Sequence, residues 1–357
     1  MKFLRFFSIL LLLGIILSGC SLLNKNNDGG IYKSFDYGEH WEQKNFINNN
    51  DKKEISISGV NTREIVFDEN DHSLVFLATR DSGLFVSTNA GEQWQRIFAG
   101  GFVGSVAPDP QKRGVIYLTS GNKLYKTIDM GANWRVVYLE SRANVSIMQV
   151  AVDYRENKKL IISTSIGDIL ISNDTGESWN KVANLENDIV RKIIFNKNDP
   201  QIVYAGAINN GVFRSKDGGI NWESLREKYE KNEIGSTKYR LMILDPSVED
   251  GLFLVTDSGI LNTKDGGETW EALDLVTSGN NVYINTFAVN QKNINNMYYT
   301  VNNILYRTFD GGKNWLSSKV PTEMNPIFLI VDPETSNVLY MGLLRKEDTP
   351  FFFVQYE

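Results

Sequence analysis

All seven tryptophans of the chain close the same recurring phrase, Ser/Thr-x-Asp-x-Gly-x-x-Trp. Its copies are SFDYGEHW (Ser34–Trp41), STNAGEQW (Ser87–Trp94), TIDMGANW (Thr127–Trp134), SNDTGESW (Ser172–Trp179), SKDGGINW (Ser215–Trp222), TKDGGETW (Thr263–Trp270) and TFDGGKNW (Thr308–Trp315). Successive tryptophans lie 53, 40, 45, 43, 48 and 45 residues apart. Self-similarity at such a period means an array of small units, none of which can bury its apolar face alone.

The unit is clearest at Ile193–Trp222, where IIFNKNDP, QIVYAGA and NNGVFRS lead into the box. Short β-branched and aromatic runs separated by Asn, Asp, Gly and Pro read as alternating strands and turns. We name the strands A to D. Strand A recurs as REIVF from Arg63, KIIF from Lys192, RLMIL from Arg240 and IFLIV from Ile327. Strand B recurs as LVFLAT from Leu74, VIYLTS from Val115, IVYAGA from Ile202 and VLYMGL from Val338. Strand C runs into the box, and strand D is expected to start at the tryptophan. Four strands at this period make one blade of a β-propeller.

The two ends are incomplete in complementary ways. The first box follows a polar stretch with no A or B strand before it, and the last box is followed by an A and a B strand with no further box. The expected fold is therefore all-β: one seven-bladed propeller over residues 30–357, closed by N- and C-terminal strands sharing a blade. Such closure removes two exposed sheet edges. The apolar run Phe351–Gln355 is left over, without an assigned place.

Within each box the glycine suits a turn with positive φ, the carboxylate can accept from turn amides, and the hydroxyl adds a local bond. Asn89 replaces the aspartate in the second box, and its amide oxygen can serve the same turn. The tryptophan ring is expected to pack between neighbouring sheets and use its N–H once. The box residues Asp36, Trp41, Asn89, Trp94, Asp129, Trp134, Asp174, Trp179, Asp217, Trp222, Asp265, Trp270, Asp310 and Trp315 are thus structural. One per blade at equivalent rim positions, they cannot converge on a single site.

On these seven boxes the chain resembles the Asp-box (BNR) repeat family of β-propellers. That family includes sialidases, xyloglucanase-type glycosidases, sortilin-type receptors and photosystem II assembly-factor propellers, so the resemblance implies the fold and leaves the function open. The sialidase pattern fits poorly: the Arg-Ile-Pro phrase is missing and seven blades replace the usual six. The xyloglucanase type uses two propellers in tandem with carboxylates at their junction, where this chain has one. The outline is most similar to the photosystem assembly-factor propellers.

The N-terminus opens MKFLRFFSILLLLGIILSGCSLLN, with basic Lys2 and Arg5, an apolar run and a small-residue ending at Cys20. Residues 1–19 read as a secretory signal. The ending resembles a bacterial lipobox, which implies lipidation of Cys20 and a lipid anchor; residues 20–29 then form a flexible tether. The expected location is the bacterial cell envelope, on the outer side of the cytoplasmic membrane or in the outer membrane. Cys20 is the only cysteine, which excludes an intramolecular disulfide and a multi-thiolate metal site. Without residues 1–19 the chain carries 35 Lys+Arg against 43 Asp+Glu, a balance opposed to nucleic-acid binding.

In a propeller, strand A lines the central channel, and the D-to-A and B-to-C connections share one face. The two longest D-to-A connections, after Trp41 and after Trp222, are expected to cover that face, where binding residues concentrate. Aligned by their terminal Asp or Asn, the A strands place Arg63, Arg191 and Arg240 at one position, five residues before Asp68, Asn196 and Asp245. Arg80, at a B-to-C turn, shares the face. Guanidiniums around one opening can hold a carboxylate or phosphate bidentately; the opposing expectation is that Glu64, Asp81, Asp188 or Asp257 neutralises them. His40 and His72, the only histidines, lie away from this mouth, so no catalytic residue, metal or cofactor is assigned. The reading is a non-catalytic scaffold for an envelope protein partner, anchored to the membrane through Cys20. The alternative is a glycan-binding protein or glycoside hydrolase with its site at the channel mouth.

Overall fold

The computed structural model describes residues 28–47, 55–230, 238–277 and 283–345. Cys20 and Phe351–Gln355 lie outside the described residues. Among the described residues there are seven four-stranded antiparallel sheets and one two-stranded hairpin. Blade one is shared by the two ends: Ile31–Ser34 pairs with Leu339–Leu344, the N-terminal Glu42–Gln43 flanks it outside, and the C-terminal Asn325–Val331 lies innermost. The register sets Tyr32 opposite Met341 and Lys33 opposite Tyr340. The expected closure is therefore present.

Blades two to seven follow in chain order, each running A, B, C, D from the axis outwards. Their A strands are Thr62–Phe67, Ser105–Pro108, Ile147–Val152, Val190–Phe195, Tyr239–Leu244 and Ile284–Asn290. The D strands begin one residue after the tryptophan, at Glu42, Gln95, Arg135, Asn180, Glu223, Glu271 and Leu316. The box turn uses the tryptophan itself, which delays the ladder by that residue.

The B strands are buried on both faces, as at Val75–Thr79 and Val203–Ala207. A sheet sandwiched between two neighbours has no solvent side, which is why these segments read as continuous apolar runs. The core is divided accordingly into seven clusters, one per blade interface. Between blades four and five, for instance, Ile161, Ile171, Phe195, Val203 and Phe213 pack together.

The boxes are alike in detail. In all seven the hydroxyl accepts from the glycine amide at 2.8–3.0 Å and donates to the Asp or Asn side chain at 2.7–2.9 Å. That oxygen accepts in turn from the amide four residues on, and Asn89 does so from Gln93 at 2.9 Å. Hydrogen bonds, led by those from the Thr127, Ser178 and Asn314 side chains, hold Asp129, Asp174 and Asp310 down to about 2. The indole N–H of Trp41, Trp179, Trp222 and Trp270 donates to its own box glycine carbonyl. Those of Trp94, Trp134 and Trp315 reach the preceding blade, at Lys44, Ile97 and Asp274.

The described parts of the two long connections pack at blade interfaces. Phe46–Ile47 forms a hairpin with Ile55–Ser56 and lies along Trp94, whose amide donates to the Phe46 carbonyl at 3.0 Å. The helix Arg226–Glu230 wedges Tyr229 against Trp270, ring centroids 5.5 Å apart. Ile57 and Tyr229, from these two connections, are buried in the cores between blades one and two and between blades five and six.

Candidate functional site

The A strands carry a recurrent irregularity at the channel mouth. Register shifts between Thr62 and Glu64, Val190 and Lys192, and Tyr239 and Leu241 leave Arg63, Arg191 and Arg240 as the extra, bulged residues. A bulge inserts one unpaired residue and re-aims its side chain. Burial follows: each strand begins with a buried residue and then shows two consecutive half-buried ones, where strict alternation would bury every second side chain. The mouth thus receives adjacent pairs, Arg63 with Glu64, Arg191 with Lys192, and Arg240 with Leu241.

The four arginines singled out from the sequence come together. Burial pulls the Arg63 guanidinium down to about 10; Glu64 opposes this, and the charges of Arg80 and Arg191 add to it. Arg191 is lowered too, by burial first, against the favourable Tyr239, Tyr283 and Asp188, with Arg240 adding repulsion. Arg63, Arg80, Arg191 and Arg240 therefore share one electrostatic site, although they come from blades two, five and six.

Their immediate contacts were not visible in the sequence. Arg63 Nε donates to the Gly104 carbonyl at 2.5 Å, and its guanidinium lies 5.6 Å from the Phe102 ring centroid. Arg240 stacks over Tyr283 at 3.4 Å, and Tyr283 is 48% exposed at the rim. Among the described residues, Arg240 Nε is buried without a hydrogen-bond partner. Cation–π stacking fixes a guanidinium's plane while leaving its edge N–H groups able to donate.

Two of the four carboxylates expected to neutralise this cluster act on it by charge, Glu64 on Arg63 and Asp188 on Arg191, while three of the four also hydrogen-bond to other groups. Asp81 accepts from Asn61 and Ser82, and Asp188 from Ile189, Asn209 and Asn210. Glu64 accepts the Val106 amide at 3.0 Å and faces Lys192 at 3.7 Å. Blades two and five are three apart, the largest separation a ring of seven allows. The Glu64–Lys192 pair therefore spans the channel just beneath the arginines. A second pair between the same blades, Lys197 with Glu69 at 3.1 Å, spans it at the opposite end. The site is a cationic cup whose floor is the Glu64–Lys192 pair. Glu64 and Lys192 occupy one aligned position, which the sequence displays; that they face each other is a fact of ring geometry.

On the opposite rim Asp36, Glu39 and His40 bring three ligand atoms within 4.8 Å of one another. Asp36 is the box cap, held by Ser34 and the His40 amide, and Glu39 pairs with Arg307. Both histidines lie on that side, His72 against Glu334.

The model of the photosynthesis system II assembly factor YCF48 family matches residues 184–327, as the sequence outline led us to expect. Xyloglucanase Xgh74A of Acetivibrio thermocellus is 22% identical over 210 residues, 45% of this chain and 25% of that enzyme. The chain thus spans about a quarter of the curated relative it matches. Among solved structures, the GH74 xyloglucanase of Xanthomonas campestris superposes with a TM-score of 0.63 at 14% identity, over 80% of this chain and 51% of that one. YCF48 bound to D1 peptide superposes with a TM-score of 0.59 at 17% identity, over 80% of this chain and 93% of that one. At these identities the superpositions show the shared propeller.

Proposed function

We propose that the chain is an exported, lipid-anchored scaffold whose propeller captures a protein partner in the cell envelope through anionic groups seated in the arginine mouth. The observation that carries this reading is the convergence of Arg63, Arg80, Arg191 and Arg240 on one cup. Desolvated guanidiniums in a low-dielectric recess favour an anion that brings its own charge. The likeness to a propeller bound to a peptide, over nearly all of that protein's length, supports a protein ligand. Export and anchoring through Cys20 rest on the N-terminal sequence; among the described residues no helix is long and apolar enough to cross a membrane.

The test is crosslinking capture from intact membranes. Arg63→Glu, Arg191→Glu and Arg240→Glu combined should abolish partner capture while the thermal melt stays cooperative, and Cys20→Ser should release the protein to the soluble fraction. Capture that survives the triple reversal overturns the reading. The second reading, glycan binding or hydrolysis at the mouth, is favoured by the xyloglucanase match. It needs two carboxyls placed across a sugar, and three of those near the mouth are engaged as described. Turnover or binding in a screen of xyloglucan, bacterial polysaccharides and sialosides would favour it instead.

A further inference from the structure

We infer that the Glu64–Lys192 pair is a ligand-responsive floor: an anion seated among the arginines draws the Lys192 ammonium off Glu64 and takes it as a further charge partner. This rests on the anion-binding reading of the mouth.

The two residues of the pair are held very differently. Glu64 is fixed by its other oxygen, which accepts the Val106 amide at 3.0 Å, so it stays against blade three whatever Lys192 does. The Glu64–Lys192 separation of 3.7 Å exceeds hydrogen-bonding distance and leaves only charge attraction. The Lys192 side chain is 40% exposed and ends a flexible four-carbon stem. A loose, partly solvated pair of this kind is weak. The position directly after bulged Arg191 places Lys192 next to the arginines and under anything they hold.

The competition is one of charge. Glu64 offers Lys192 one negative charge; a ligand with two or more carboxylates in the cup offers more, at similar distance and with the repulsion among the arginines already relieved. The amide oxygen of a glutamine at position 64 can still face the Val106 amide but cannot hold an ammonium by charge, so Glu64→Gln mimics the switched state.

The probe is N-acetylated pentaglutamate titrated calorimetrically into the full chain. Glu64→Gln should tighten binding about five- to tenfold at low salt, and Lys192→Gln should weaken it about threefold or more. In the Lys192→Gln background the gain from Glu64→Gln should shrink to less than half, because Lys192 is its agent. A glutamate that merely repels the probe would give the same gain in both backgrounds, and that result overturns the proposal. So does a Glu64→Gln chain that binds like the unaltered one. If Arg63→Glu with Arg191→Glu leaves probe binding unchanged, the anion reading of the mouth is what fails.

Discussion

At Ala90 the backbone sits at φ 54°, in the left-handed region, directly before the box glycine. Tyr37, Met130 and Thr175 do the same in their boxes, while three boxes place Gly218, Gly266 and Gly311 there. The sequence pointed to positive φ at the repeated box glycine and missed the residue before it, because side chains so rarely adopt that conformation; the doubled Gly-Gly of three boxes was the available sign. An L-residue there costs about 1–2 kcal/mol, partly offset by the greater unfolded freedom of glycine. Ala90→Gly should therefore stabilise the protein by about 0.5–1 kcal/mol. Gly219→Ala should cost about 2 kcal/mol or more, since its φ is 95° and a Cβ would lie 2.6 Å from the Ile161 side chain. Urea midpoints measure both, and a destabilised Ala90→Gly variant would refute this account of the turn.

Among the elements, alternate blades share a clasp. In blades one, three, five and seven a tyrosine on strand B faces a basic residue on strand C: Tyr340 with Lys33, Tyr117 with Lys126, Tyr204 with Arg214, and Tyr298 with Arg307. The basic groups reach the next blade's box and donate to the carbonyl of its left-handed residue, at Ala90, Thr175, Gly266 and Tyr37. Arg307 thereby ties blade seven to blade one across the chain closure. The alternation was present in the sequence as YKS, YKT, FRS and YRT, but only the ring shows what each cation touches. Arg214 is almost fully buried and also engages Glu223 and Glu268. Arg214→Met should cost about 2–3 kcal/mol, because the Gly266 carbonyl loses its donor in a dry setting. The exposed channel pair is a contrast: Lys197→Gln should change stability by less than about 1 kcal/mol. Equal effects of the two changes would remove the distinction between clasp and surface pair.

For the molecule as a whole, seven interfacial cores mean that no blade is stable alone and that opening the ring exposes two cores together. Those flanking blade one hold Ile31, Val338 and Tyr340 on one side and Tyr32, Leu329, Leu339 and Met341 on the other. A chain ending at residue 320 should show no cooperative melt, and residues 321–357 supplied as a separate peptide should restore one. A normal melt for the shortened chain would show that closure is dispensable. Blade count, closure by the two ends and turn chemistry were readable in one dimension, because each depends on residues adjacent in sequence or repeated at a fixed period. Alignment of the A strands also brought Arg63, Arg191 and Arg240 to one level. The ring alone decided that these arginines meet and that Glu64 faces Lys192 across the axis. Those are contacts between blades far apart in the chain, fixed by the curvature and diameter of the closed circle, and local periodicity contains neither.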